Sequence, residues 1–367
     1  MIIGPEDNYR GLDDWLAGKG KVFLVCDSSV KFLDGLNAKL DSITADKVIF
    51  SSFRPNPLYE EVAEGVRLFR REKCDCIIAA GGGSSMDVAK CIKAYAEMDG
   101  DGENGSWLQQ AITANGISFL AIPTTAGTGS EATRYAVIYY EGKKQSVTSE
   151  TFIPETVLMD PDTLITLPPY QKKATMCDAL AHAVESYWSV NSTDRSKEYA
   201  RRAIAMVLAN AEGYLENTVE GRRNMLTAAH LAGKAINITQ TTAGHAMCYK
   251  ITSLLGCAHG HAAILCDRIL FPWMNGNTGR CIDPRGEDYL IKTLDEIGQA
   301  MGGSDAKEGA DMLSAFFDRL DLQIPSATKE QFAELTEGVN PVRLKNHPVE
   351  LDKETIEMLY HEILNEA

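Results

Sequence analysis

The feature that most constrains this chain is the rhythm of its first 160 or so residues. Short apolar runs rich in β-forming residues, VFLVC (22–26), KVIF (47–50), CIIAA (76–80) and ISFLAIP (117–123), alternate with helical stretches such as LYEEVAEGVRLFRREK (58–73) and MDVAKCIKAYAEM (86–98). Parallel strands need a long crossover, usually a helix, so this alternation predicts a parallel sheet with helices on its faces. TRYAVIYYEGKKQSVTS (133–149) reads instead as a hairpin turning at Glu141-Gly142. The pattern changes at LPPYQKKA (167–174), where two prolines break whatever precedes them. Helical periodicity then runs to the C-terminus, as in ATMCDALAHAVESYW, RSKEYARRAIAMVLANAEGYLE and EDYLIKTLDEIGQAMG. Two domains are expected, an α/β domain over 1–166 and an all-α domain over 167–367, and ligands in such chains favour the cleft between domains at the C-terminal ends of the strands.

Composition narrows the function classes. The chain has 367 residues, 44% of them hydrophobic, and a net charge of −15. So acidic a chain repels phosphate backbones and anionic membranes, which argues against nucleic acid as a partner. No run approaches the ~20 apolar residues of a membrane helix, and MIIGPEDNYRG lacks the basic start of a signal peptide. The nine cysteines mostly sit in apolar runs and show no CxxC…CxxC spacing, so buried free thiols in a reducing cytosol are expected.

Two loops carry the signature of a phosphate cradle. Gly81-Gly82-Gly83-Ser84-Ser85-Met86-Asp87 follows an expected strand and opens an expected helix. Glycines let the backbone approach a pyrophosphate, and the N–H groups of a helix start can hold its oxygens. The spacing is not GxGxxG, and an ordinary tight turn would also explain it. Ala121 to Glu131, AIPTTAGTGSE, places Thr124, Thr125, Thr128 and Ser130 after another strand, where their hydroxyls could reach phosphate, ribose or an amide. Asp27, at the end of the first long strand, could accept from both ribose hydroxyls of NAD and repel a 2′-phosphate, or simply cap a turn in DSS.

Asp178 and His182 are four apart in CDALAHAVES, one turn apart on one helical face. His245, His259 and His261 follow in GHAMCYKITSLLGCAHGHAA, so four of the seven histidines fall in this set. A carboxylate with imidazoles suits a divalent first-row metal such as Fe(II) or Zn(II).

Together, GGGSSMD, AIPTTAGTGSEAT, LMDP (158–161), ATMCDALAHAVES and the paired His245 and His259 with the trailing Gly260 resemble the iron-containing alcohol dehydrogenase family, which is related to dehydroquinate synthase and glycerol dehydrogenase. The resemblance runs over nearly the whole chain. It implies a dehydroquinate-synthase-like pairing of an α/β dinucleotide-binding domain with an all-α metal-binding domain. It implies a metal held by Asp178, His182, His245 and His259, with Fe(II) expected and Zn(II) as the alternative. It also implies that Asp27, Gly82, Gly83, Ser84, Asp87, Thr124, Thr125, Thr128 and Lys144 lie along the cofactor, NAD(H) by the Asp27 argument and NADP(H) otherwise. By analogy a dimer or larger assembly is expected, a homodimer first, and the free thiols place it in the cytoplasm. Two departures stand out. Many members carry a second histidine four residues after the one matching His245, where this chain has Tyr249, and an asparagine of the usual HGxANA is replaced by Ala263. His261 is an alternative ligand to His259, which holds the family's position.

Within the family, SEATRYAVIY, GKAINITQTTAGHAMCYKITSL and VNPVRLKNHP are most similar to the branch that reduces phosphonoacetaldehyde to 2-hydroxyethylphosphonate. Such a substrate is a small dianion, and an acidic protein must supply local cations for it. Arg134, Lys234 and Lys250 are the expected ones, though each could be an ordinary surface charge. The expected reaction interconverts a small aldehyde and its primary alcohol, with His245 at the metal and Tyr249 in the proton relay. A short-chain alcohol dehydrogenase for a neutral aldehyde, a dehydroquinate-synthase-like lyase and a non-catalytic relative are the rival readings.

Overall fold

Six parallel strands build the sheet of the first unit: β1 (Ile2–Ile3), β2 (Lys21–Cys26), β3 (Asp46–Phe50), β4 (Cys76–Gly81), β5 (Ser118–Pro123) and, after a hairpin of β6 (Tyr135–Tyr140) and β7 (Lys143–Thr148), β8 (Thr156–Leu158). The computed structural model describes residues 1–43 and 45–367. The spatial order is β1-β8-β5-β4-β2-β3, with every neighbouring pair parallel. The four expected strands are β2 to β5. The edge pair β1 and β8 went unread because two or three residues carry no periodicity. Four helices connect the strands: α1 (Glu6–Leu16), α2 (Asp34–Asp41), α3 (Tyr59–Glu72) and α4 (Gly83–Tyr95).

The sheet is covered on both faces. Phe23, Val25, Ile77, Ala79, Phe119 and Ala121 pack into one core, and Val22, Leu24, Ile78, Ala80, Leu120 and Ile122 into another. Successive side chains on a strand alternate faces, so a strand buried on both reads as a continuous apolar run. Register matters more for function. Cys26 pairs with Ala80, and Gly81 with Pro123. The C-terminal ends of β2, β4 and β5 therefore stand side by side, each followed by one of the loops singled out above. The hairpin turns where expected: Glu141 and Gly142 have φ of 49° and 71°, the left-handed pair of a two-residue hairpin turn.

The second unit comprises Ala126–Thr128 and Pro168–Ala367; the first comprises Met1–Thr125 and Gly129–Leu167. Its helices are α5 (Pro169–Trp188), α6 (Asp194–Leu215), α7 (Val219–Thr239), α8 (Ala243–Leu255), α9 (His259–Gly276), α10 (Glu287–Met301), α11 (Ala306–Arg319), α12 (Lys329–Glu337), α13 (Pro341–Leu344) and α14 (Lys353–Ile363). A two-residue parallel pair, Ser326–Ala327 with Asn365–Glu366, is its one piece of sheet among the described residues. The prolines of LPP do more than interrupt: Pro168 and Pro169 are the cap and first residue of α5, where a missing N–H costs nothing. From Met176 to Trp188 every residue of α5 is buried. A helix apolar all round belongs at the centre of a bundle, and α5 packs against α6, α7 and α9. Its ionisable side chains in that stretch, Asp178, His182 and Glu185, are consequently held inside the protein on one stripe. No helix among the described residues is long and apolar enough to cross a membrane.

Candidate functional site

In the first unit the loops after β2, β4 and β5 meet at the start of α4. Gly81 has φ of +154°, and a Cβ there would lie 2.1 Å from Ser85 Oγ and 2.7 Å from Asp27 Oδ2, so no larger residue fits. Gly81 O accepts from Thr124 N at 3.0 Å, tying the β4 turn to the β5 loop. Gly82 is the N-cap of α4, no side chain caps it, and Met86 N to Gly82 O is the first helical bond. The N–H groups of Gly83, Ser84 and Ser85 thus head an uncapped helix, an arrangement suited to phosphate oxygens.

Asp27 stands beside this turn. Its Oδ1 accepts from Ser29 N at 2.8 Å and its Oδ2 from Ser85 Oγ at 3.2 Å. The turn-capping reading is therefore present, on a carboxylate that also adjoins the glycine loop. Asp87 faces inward: it accepts from Ser130 Oγ and Val137 N, each at 3.1 Å. Burial pushes its carboxyl up to about 6, against the pull of Lys90 and Lys144. Lys90, unread in the sequence although it lies one turn from Asp87, is fully buried. Its Nζ donates to Ser130 O, Ser130 Oγ, Thr133 Oγ1 and Tyr135 O at 2.7–3.2 Å, and burial draws it down to about 8. Asp87 and Lys90 thereby pin the segment after the threonine loop onto α4. Thr124 is buried, Thr125 and Lys144 are half-buried in this unit, and the half-buried Thr128 groups with the second.

In the second unit three imidazoles converge on one oxygen. His245, His182 and His259 place Nε2 at 3.5, 3.9 and 4.0 Å from Asp178 Oδ1. Ligands about 2.1 Å from a shared ion in a tetrahedral site stand about 3.4 Å apart. Asp178 Oδ1 and His245 Nε2 are buried with no hydrogen-bond partner, and Asp178, His245 and His259 form a group able to hold a metal. Orphaned buried polar atoms are costly, and their convergence on one another is what a bound cation explains. A divalent first-row ion fits these residues.

The electrostatics agree. Glu185, one turn beyond His182 and wholly buried, accepts from His245 Nδ1, from His245 N at 2.9 Å and from Thr242 Oγ1 at 2.6 Å. Its carboxylate fixes the His245 tautomer and aims the Nε2 lone pair at Asp178. Burial alone would depress the His245 pKa, but Glu185 and Asp178 together raise it to about 10. The centre thus favours positive charge between two carboxylates. His182 is held below its ordinary value, burial outweighing Asp178, which keeps the imidazole in its ligating, neutral form. It stacks on His245 at 4.5 Å. Nothing in a sequence-spacing argument for Asp178 and His182 named Glu185, although it lies on the same helical stripe.

Two further contacts complete the centre. Gly260 lets α9 approach α5: a Cβ there would lie 2.1 Å from Ala174 O and 2.4 Å from Asp178 Cβ. Gly260→Ala is expected to push His259 away from Asp178, at a cost of about 1–3 kcal/mol in stability and with weaker metal binding; thermal melts and metal titration check both. His261 turns elsewhere, its Nδ1 3.1 Å from Tyr170 Oη and its ring against Phe317. Burial lowers it to about 4. Tyr249 stacks on His259 with centroids 5.1 Å apart, and its Oη accepts from Arg343 Nη1 at 3.0 Å. Burial raises the phenol well above its usual range, outweighing Arg343.

The three expected substrate cations each have a neighbour in the structure. Arg134 donates to Glu150 at 2.6 Å, Lys250 to Glu334 at 2.7 Å, and Lys234 lies over the Tyr199 ring at 5.6 Å. Arg343, which the sequence reading passed over, is the cation in contact with Tyr249.

Comparison with known proteins gives the same picture. Residues 2–161 match the family model for iron-containing alcohol dehydrogenase, and residues 172–364 match the C-terminal model of the Fe-containing alcohol dehydrogenase family. The chain is 30% identical over 317 residues to phosphonoacetaldehyde reductase of Streptomyces viridochromogenes, covering 83% of this chain and 80% of that one. It is 35% identical over 257 residues to 1,3-propanediol dehydrogenase of Klebsiella pneumoniae, 67% of this chain and 66% of that one. Sulfoacetaldehyde reductase of Bifidobacterium kashiwanohense, solved with NAD+, superposes with a TM-score of 0.87 at 25% identity over 99% of this chain and 96% of that one. With both halves of the chain matched and a parallel-sheet unit followed by a helical unit carrying the Asp178 and histidine cluster, this protein belongs to the iron-containing alcohol dehydrogenase family of oxidoreductases.

Proposed function

We propose that this enzyme reduces a small aldehyde bearing a phosphonate, interconverting phosphonoacetaldehyde and 2-hydroxyethylphosphonate with NAD(H). The observation that carries the reductase reading is the convergence of His182, His245 and His259 on the orphaned Oδ1 of Asp178. When bound, the metal supplies Lewis acidity toward a carbonyl oxygen and the nicotinamide supplies hydride. The chain's own residues do the rest. Glu185 orients His245, and the uncapped start of α4 offers N–H groups to a pyrophosphate. Asp27 offers a carboxylate to the adenine ribose, which disfavours a 2′-phosphate. Arg343 donates to Tyr249 Oη, and in this reading the Tyr249 phenol supplies the proton that the product alcohol gains. A cytoplasmic homodimer is part of this reading; nine free thiols, eight of them buried, support the reducing compartment.

Identity with phosphonoacetaldehyde reductase supports the phosphonate, and identity with 1,3-propanediol dehydrogenase supports a neutral aldehyde as the second reading. Purified, Fe(II)-loaded enzyme assayed with NADH or NADPH against phosphonoacetaldehyde and propionaldehyde decides between them. A kcat/KM for phosphonoacetaldehyde at least tenfold above that for propionaldehyde, with NADH preferred, is expected. A preference for propionaldehyde would replace the substrate, equal use of NADPH would remove the role of Asp27, and absence of NADH oxidation with any aldehyde would reject the reductase.

A further inference from the structure

We propose that Arg343 is the specificity-determining residue of the site, binding the tetrahedral oxyanion head of an aldehyde substrate. This rests on the reductase reading above and deepens it.

Arg343 sits on the one-turn helix α13, which Asn340 caps by accepting from Val342 N at 2.9 Å and which Pro341 begins. Its side chain is half-buried and returns to α8, where the guanidinium lies 4.6 Å over the Tyr249 ring. Tyr249 in turn stacks on His259. One aromatic ring thus separates this cation from a candidate metal ligand. Stacking on an aromatic face holds the planar fork rigidly.

The charge balance points the same way. In a chain of net charge −15, Arg134, Lys250 and Arg280 each have a carboxylate within 4.0 Å. Arg343 has none among the described residues, where its one side-chain hydrogen bond is to a neutral phenol through Nη1. A guanidinium carries five N–H donors in a fork that matches two oxygens of one anion. Among the described residues no protein counterion takes up the rest of that fork, which lies one ring from a candidate metal ligand. The chemistry that completes it is a phosphonate or a sulfonate.

The test compares Arg343→Met, Arg343→Lys and Tyr249→Phe with wild type, all metal-loaded, on phosphonoacetaldehyde, sulfoacetaldehyde and propionaldehyde. Losing charge-assisted hydrogen bonds of ~1.5–3 kcal/mol corresponds to roughly ten- to hundredfold. Arg343→Met is expected to lower the ratio of kcat/KM for the preferred oxyanion aldehyde over propionaldehyde by that factor, mainly through KM. Arg343→Lys, which keeps the charge and loses the fork, should fall between. Tyr249→Phe, which keeps Arg343, should slow every substrate and leave the ratio within about threefold of wild type. An equal fall on all three substrates in Arg343→Met means the residue only positions Tyr249, and the proposal fails. Which of the two anions wild type prefers identifies the head group. If wild type prefers propionaldehyde, the phosphonate reading of the substrate is lost, and Arg343 is judged by methylphosphonate instead. Competitive inhibition of propionaldehyde reduction that Arg343→Met abolishes keeps the anion site, and inhibition unchanged by Arg343→Met, or none in wild type, overturns it.

Discussion

His182→Ala is expected to give a folded protein that neither retains a divalent metal nor reduces any aldehyde. Losing an outer partner of a metal ligand lowers affinity or activity by roughly 10–100-fold, and losing a ligand outright should exceed that. The expectation is specific because of how His182 is held. Its Nε2 is one of three imidazole nitrogens directed at Asp178 Oδ1, and its ring stacks parallel to that of His245. Truncation removes a donor without exposing a new hydrogen-bond partner in its neighbours, so the fold should survive at a cost of about 1–3 kcal/mol. Metal content after Fe(II) or Zn(II) reconstitution, activity, and the melting temperature of the metal-free protein separate the effects. Retention of stoichiometric metal by His182→Ala would remove His182 from the centre, and a melted apo-protein would make the activity loss uninformative. In that case His182→Gln, which fills the volume without an imidazole, decides.

The legible parts of this molecule were those carried by local spacing. A four-residue interval on a helix reads as one face whatever the tertiary structure, so Asp178 and His182 could be paired from sequence. The central strands could be read because burial on both faces leaves an unbroken apolar run, as in CIIAA. His245 and His259 could be noted as a cluster of histidines in a chain with only seven, but no periodicity links them to α5, and their assignment as ligands beside Asp178 and His182 came from the family resemblance. Arg343 and Lys250 show what is lost beyond local range. Lys250 drew attention because it follows His245 by five residues, yet it pairs with Glu334, 84 positions away. Arg343 reaches Tyr249 across 94 positions from a helix of one turn, too short to leave a pattern. Glu185 was within reach: it continues the Asp178 and His182 stripe on a helix otherwise buried in apolar side chains. A carboxylate on a helix is usually solvated, and only the burial of α5 on every side makes this one informative.

That burial makes Glu185→Gln the next largest expected effect. The wild-type carboxylate is fully enclosed, and its four recorded donors divide between its oxygens. Oε1 takes His245 Nδ1 and N, and Oε2 takes Thr242 N and Oγ1. Burial disfavours the charge, but His245 and these donors hold the carboxyl below its ordinary range. Glutamine keeps the shape and only one acceptor oxygen, so its NH2 must face donors on one side. Unsatisfied buried donors cost ~1–3 kcal/mol, which should appear as a lower melting temperature in the metal-free protein. The second effect is on the ion. A neutral amide no longer enforces the Nδ1–H tautomer of His245 or supports a positive charge at Nε2, so metal affinity should fall 10–100-fold. Competition against a chelator of known affinity measures it independently of turnover. The two effects have different origins and should separate: Glu185→Asp keeps the charge while shortening the reach, and is expected to recover part of the metal affinity without recovering the full melting temperature. A melting-temperature loss with metal affinity unchanged within about threefold would show that Glu185 braces α5 against α8 and has no hold on the metal through His245.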